Sequence, residues 1–164
     1  MKYYAGIGSR ETPIKICQLM TRIARQAAKD GYTLRSGGAD GADLAFEAGA
    51  SLKEIYVPWL GFNGSKSTLL PTPEAFEMAA KFHPAWNRCS RGARALHARN
   101  CHQVLGHGLK TPVERVICWT LNASGSGGTG QAIRIAKAHN IIIDDLGDPE
   151  IEKIYRISLN ITEN

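Results

Sequence analysis

Five short apolar runs, KYYAGI at 2–7, YTLR at 32–35, EIYVP at 54–58, RVICWT at 115–120 and III at 141–143, recur along the chain. Between them lie longer stretches with the periodicity of helices. In the first of these, Ile16, Leu19, Met20, Ile23 and Ala27 fall on one face, which predicts a helix opening at Thr12-Pro13 and closing at Asp30-Gly31. Further helices are expected from the SGGADGAD segment through residue 50, and over 73–83, 90–106, 129–139 and 149–158. Strands this short and apolar suit burial on both faces. Their alternation with helices predicts an α/β fold, a parallel sheet of about five strands with helices on both faces. A chain of 164 residues is enough for one such layered core, so a single domain over 1–164 is expected.

Parallel sheets of this kind bind ligands beyond the carboxyl ends of their strands, where the strand order reverses. The loops at 7–12, 36–41, 58–66, 120–130 and 144–148 are therefore the places to look. After the first strand, GIGSRET offers Gly8, Ser9 and Arg10, the last a rigid fork of donors suited to phosphate or carboxylate. After the fourth, GSGGTG at 125–130 matches GxGxxG, with Asp144 at about the 20-residue spacing of a ribose-binding acid. That fingerprint normally follows the first strand, so the broader expectation is a phosphate at a helix N-terminus, met by the N–H groups of Thr129, Gly130 and Gln131. Trp59, Phe62 and Asn63 lie in the irregular stretch WLGFNGSKSTLLPT, a functional-loop candidate. SGGADGAD at 36–43 puts two acids into a glycine turn. They are expected to act chiefly as helix caps, Asp40 at the N-cap and Asp43 at the third helical position, with Asp40 alternatively accepting a ribose hydroxyl. Glu47 follows one turn beyond Asp43 on the same face.

Other chemistries lack their signatures. No GxxxxGK[ST] or GxSxG segment is present. Cys89, His97, Cys101 and His102 could supply zinc ligands, but no complete set is evident, and neither a metal nor a cofactor is expected. The net charge of +5 is locally concentrated: Arg88, Arg91, Arg94 and Arg99 occur together without an acid. That is either a solvated helix face or a surface for a phosphate-bearing partner. No apolar run approaches the ~18–20 residues that span a bilayer, so no membrane partner is expected. The absence of a signal-type start and of any CxxC pair among the four cysteines suggests a reduced, cytoplasmic setting.

Taken together, GSR after the first strand, SGGADGAD after the second, HARNCHQVLG at 97–106 and SGSGGTGQA at 124–132 make the chain similar to the SLOG superfamily. This Rossmann-like group joins DNA-processing protein A to the "lonely guy" phosphoribohydrolases, and the resemblance extends over residues 1 to about 148. It implies a Rossmann-like nucleotide-binding domain and says little about which activity it carries. The family's hydrolases use a PGG-x-GT-x-x-E loop, whose glutamate falls here on Ala132 or Arg134, neither a carboxylate. The resemblance therefore implies binding of a small nucleotide-derived ligand (a nucleoside phosphate, an ADP-ribose-type or a cyclic nucleotide signal) rather than its cleavage. A stand-alone domain of this kind would sequester the signal, as a phage protein acting in the host cytoplasm would. N-glycosidic cleavage is the alternative, with Glu47 as the catalytic carboxylate or Asp40 or Asp43 in its place. Binding of single-stranded nucleic acid is a third, with Trp59, Phe62 and Trp86 stacking bases. The expected ligand-binding residues are Gly8, Ser9, Arg10, Ser36, Gly37, Gly38, Asp40, Asp43, Trp59, Phe62, Asn63, Arg99, Asn100, Gly127, Gly128, Thr129, Gly130 and Gln131. The resemblance implies that Arg99 neutralises phosphate, and that the chain forms a homo-oligomer through this region, since relatives commonly pair there.

Overall fold

Successive residues of a strand face opposite sides of its sheet, and here both sides are covered. In the computed structural model, which describes residues 1–162, β1 (Lys2–Gly6) turns Tyr4 to one face and Ala5 to the other. Around it lie β2 (Tyr32–Ser36), β3 (Lys53–Ile55), β4 (Arg115–Cys118) and β5 (Ile142–Asp145). All pairings are parallel, in the order β3-β2-β1-β4-β5. Helices α1 (Ile14–Lys29), α2 (Ala42–Gly49) and α6 (Pro149–Ser158) pack on the Tyr4 face, over Leu34 and Ile117, with α2 contributing Phe46. The opposite face carries α3 (Pro73–Phe82), α4 (Arg91–Leu105) and α5 (Thr129–Ala138) over Ala5, Val116 and Cys118. Small side chains (Ala75, Ala79, Ala98, Ala132 and Ala136) let these three helices approach closely. The expected α/β, Rossmann-like sheet of five strands is therefore the observed one.

The boundaries differ where loops claim residues from the ladder. Residues 56–58 do not extend β3. Tyr56 bridges to Leu69, and Val57 N–H donates to the Leu69 carbonyl at 3.0 Å, so the irregular 59–72 segment folds back as a partner. Trp119 and Thr120 leave β4 for the loop above it, whereas β5 runs on to Asp145. The start of α2 also departs from expectation. Its N-cap is Gly41, at φ 80°, with no side-chain cap hydrogen bond. Asp40 lies outside the helix and accepts from Asn63 Nδ2 at 3.0 Å. Asp43 Oδ2 accepts instead from the N–H of Ala39, at 3.2 Å. The cause is a close approach of two loops: a side chain at Gly41 would place its Cβ 2.6 Å from the Ser9 carbonyl oxygen. No helix among the described residues is long and apolar enough to cross a membrane.

Phe46 is fully buried and meets Tyr4 edge-on, with ring centroids 6.2 Å apart. It occupies the space that a side chain on Gly6 would need, 2.5 Å from where that Cβ would stand. Phe46→Ala is expected to lower the unfolding free energy by about 3–5 kcal/mol. Gly6→Ala should lower it by about 1–3 kcal/mol through overpacking. Urea midpoints at unchanged m-value measure both.

Candidate functional site

Strand order reverses between β1 and β4, and the loops that follow these two strands diverge there to opposite faces. A cleft of about 880 Å³ opens between them. One wall is the β1–α1 loop, with Gly8, Ser9 and Arg10; another is the β4–α5 loop, with Trp119, Thr120 and Ser126 to Thr129. From the side, α4 adds Leu96, His97, Arg99, Asn100 and Gln103, while α2 adds Asp43. Ser9 ties the first wall down: its N–H donates to the Trp119 carbonyl at 3.3 Å, and its carbonyl accepts from Thr12 Oγ1 at 2.6 Å and Ala42 N–H at 3.4 Å. Asp145, at the end of β5, ties down the second. It accepts from the Thr120 N–H and the Gly147 N–H, each at 2.9 Å, and from the Thr120 hydroxyl, which in turn receives the Gly125 N–H at 2.9 Å.

Adjacent residues of α4 connect the two glycine loops. Arg99 Nη1 donates to the carbonyls of Gly37 (2.6 Å) and Tyr56 (3.2 Å), and its Nε to Asn100 Oδ1 (3.2 Å). Asn100 Nδ2 then donates to the Gly128 carbonyl at 3.0 Å. A side chain at Gly37 would displace this network, because its Cβ would lie 2.3 Å from Arg99 Nη1. Asp43 is buried beside this guanidinium. Burial pushes its carboxyl up to about 6, against the opposing pull of Arg99 and the Ala39 N–H. Burial in turn lowers the Arg99 pKa, which Asp43 partly restores. The cleft thus holds a carboxyl that exchanges its proton near neutrality and an arginine whose Nη2 has no acceptor among the described residues.

Of the residues singled out from the sequence, Gly8, Ser9, Arg10, Asp43, Arg99, Asn100, Gly127, Gly128 and Thr129 line the cleft. Arg10 is exposed and forms no ion pair among the described residues. The others lie behind or beside it. Ser36 donates its hydroxyl to the Gly6 carbonyl at 2.6 Å, and Gly37 and Gly38 are buried beneath Arg99 and Asn63. Phe62 is buried, meets Trp59 edge-on at 5.4 Å and lies under the Arg99 guanidinium at 5.7 Å. Gly130 gives its N–H to the Gly127 carbonyl at 3.0 Å rather than to the cleft. Gln131 is fully buried, spanning Ala79 O and Arg134. Glu47 pairs with Lys53 at 3.4 Å, off the cleft. Asp144 is held by Arg115 and Tyr155 and is not among the residues that line the cleft.

The arginine cluster separates too. Arg94 caps the Trp86 carbonyl at 3.1 Å and stacks on its ring, Arg99 is buried, and only Arg88 and Arg91 are exposed. The zinc set considered above does not converge. Cys101 is buried against Ala75, its thiol pushed up to about 12. His102 is spent between the Thr72 N–H (3.1 Å) and the Gly106 carbonyl (3.0 Å). Trp119, Thr120, Gln103 and His83 join the cleft unannounced. Only the strand order places them there, since Trp119 and Thr120 read as strand and His83 as a helix end.

The fold and cleft define a Rossmann-like α/β protein with a ligand-sized site at its topological switch point. No protein-family model matches the sequence, and no curated protein matches it. Among solved structures, the chain is similar to the molybdenum cofactor carrier protein of Chlamydomonas reinhardtii (15% identity, TM-score 0.49, covering 96% of this chain and 85% of that one). It is also similar to DNA processing protein A of Helicobacter pylori, described for its single-stranded DNA binding mode (14% identity, TM-score 0.41, 99% and 82% coverage).

Arg99→Met leaves the buried carbonyls of Gly37 and Tyr56 without this donor, so it should destabilise the fold by about 1–3 kcal/mol. A pH dependence follows from Asp43. Its folded pKa, about 6, lies above the ordinary 3.8, so the folded state holds more protons between those values. Asp43 therefore makes stability fall as pH rises from about 4 to about 6. Urea midpoints across this range should show a slope in the wild type that Asp43→Asn reduces.

Proposed function

We propose that the cleft binds a small nucleotide-derived ligand through its phosphate and ribose. The observation that carries this reading is the convergence of unpaired Arg10, the free Nη2 of Arg99 and the N-terminus of α5 on one cleft. A guanidinium fork and a helix N-terminus both favour phosphate oxygens. A volume of about 880 Å³ is within the range of small-molecule sites, and Trp119 and Leu121 provide an apolar wall for a base. The similarity of the GSR, SGGADGAD and SGSGGTG loops to the SLOG superfamily supports the same ligand class. In that setting binding itself is the output, sequestration of a nucleotide signal.

Calorimetric titration against nucleoside monophosphates, ADP-ribose isomers and cyclic dinucleotides tests the proposal. Arg10→Ala should weaken the phosphate-bearing ligand that binds by about 10- to 100-fold, as loss of a charged hydrogen bond does. Unchanged affinity in that variant would remove the phosphate from this cleft.

A second reading draws on Asp43, a buried cleft carboxyl poised near pH 6 and so suited to general acid–base work. In that case a nucleoside monophosphate would be cleaved at its N-glycosidic bond. Chromatography of the incubated mixture would show free base, and Asp43→Asn would abolish its release. Absence of base from the wild type leaves binding alone. Oligonucleotide binding has less to draw on, because Arg94 and Phe62 are already occupied within the fold.

A further inference from the structure

Outside the phosphate-facing part of the cleft, three side chains with metal-binding atoms meet. His83 follows α3, Cys89 ends the turn before α4, and His97 lies within α4. The turn between them is folded on itself: Ala85 N–H donates to His83 Nδ1 at 3.1 Å, and Cys89 N–H to the Trp86 carbonyl at 3.0 Å. This returns Cys89 to His83, its Sγ 3.8 Å from Nδ1 and 3.9 Å from Nε2. The rings of His83 and His97 have centroids 4.3 Å apart. One donor atom of each of the three residues lies within 4.8 Å of the other two.

The bond lengths of tetrahedral zinc give edges of about 3.5 Å between sulfur and nitrogen and about 3.3 Å between nitrogens. The S···N separation is already close to this, and side-chain shifts of about 1 Å would close the rest. His97 Nδ1 is moreover buried without any hydrogen-bond partner, an unspent polar atom. We propose that His83, Cys89 and His97 bind one borderline divalent cation of the zinc type on the wall of the cleft. Since His83 and His97 both line the cleft, the fourth coordination position opens into it, available to water or to an oxygen of a bound molecule.

The donor set selects the ion. One thiol and two imidazoles suit Zn²⁺ or Co²⁺, and the absence of a carboxylate disfavours Mg²⁺ and Ca²⁺. Burial and the Arg134 charge disfavour protonation of both rings, and Arg99 adds to this at His97. The same arginines repel a divalent cation, which makes the Cys89 thiolate the necessary anion. On coordination Cys89 gives up its thiol proton to solvent. The Ala85 hydrogen bond ends as well, because His83 Nδ1 either becomes the ligand or takes up the ring proton.

The test uses the reduced protein and the metal alone, so its outcome is separate from that of nucleotide binding. Titration with Zn²⁺ should give one ion per chain, and Co²⁺ should produce a thiolate charge-transfer band with the intense d–d bands of a tetrahedral site. Cys89→Ser and His83→Ala should each weaken binding by at least about 100-fold, more than a change outside the ligand shell costs. Circular dichroism would verify that both variants fold. Cys17→Ser, which alters a half-buried thiol elsewhere, should bind as the wild type does. Failure of the wild type to bind stoichiometrically, a Co²⁺ spectrum without the thiolate band, or undiminished affinity in Cys89→Ser would each overturn the proposal.

Discussion

Arg99 sits in α4 with its guanidinium removed from water, one nitrogen on two backbone carbonyls and another on the neighbouring Asn100. That side chain joins the segments that follow β2 and β3, and Asn100 beside it reaches the loop that follows β4. A buried cation is tolerable only when its donors are met and a counter-charge is near. Here Nη1 and Nε are met by Gly37, Tyr56 and Asn100, and Asp43 is the nearby acid. Each neighbour carries its own constraint: a Cβ at residue 37 would press on the guanidinium, Asp43 is desolvated, and Asn100 reaches Gly128. The two glycine loops, far apart in sequence, thereby hold one separation.

This arrangement divides the labour among the positive groups. Arg99 is largely committed to the protein itself, with only Nη2 lacking an acceptor among the described residues. Arg10 is uncommitted, on the opposite wall, and is the charge most free to follow a ligand. The Arg10 charge adds to the burial that lowers the Arg99 pKa. In the proposed binding role, an anion between them would relieve that repulsion. Asp43 complements it. A carboxyl that is readily neutral near pH 6 opposes an incoming anion less than an ordinary aspartate would.

The sheet and its helices were legible because each element buries one stripe, and a stripe has a period. The five apolar runs became β1 to β5 with shifted ends, and the helical patterns became α1 to α6. In the site, the loops after the first and fourth strands reached the cleft as anticipated, for the general reason that parallel strands end there. SGGADGAD was harder to read. Its glycines suggest a ligand cradle, yet Gly37 makes room for Arg99, and Gly41 makes room for the Ser9 and Arg10 carbonyls. Glycine reports that something comes close and does not say what. The histidines show the same ambiguity: helix spacing singled out His97 with Cys101, whereas the neighbours that converge on His97 come from a preceding turn.

The sequence by itself determined the alternation of strand and helix, the burial of both sheet faces and the places where loops must carry polar chemistry. These follow from local periodicity and turn residues, which act over a few positions. Tertiary structure alone decided the strand order, the pairing of Arg99 with Asp43 and Gly37, the placement of Trp119 and Thr120 above β4, and the meeting of His83 with Cys89 and His97. Those contacts join residues from separate elements. Their geometry is set by how helices pack across the sheet, a property of the assembled core that no single stretch of chain contains.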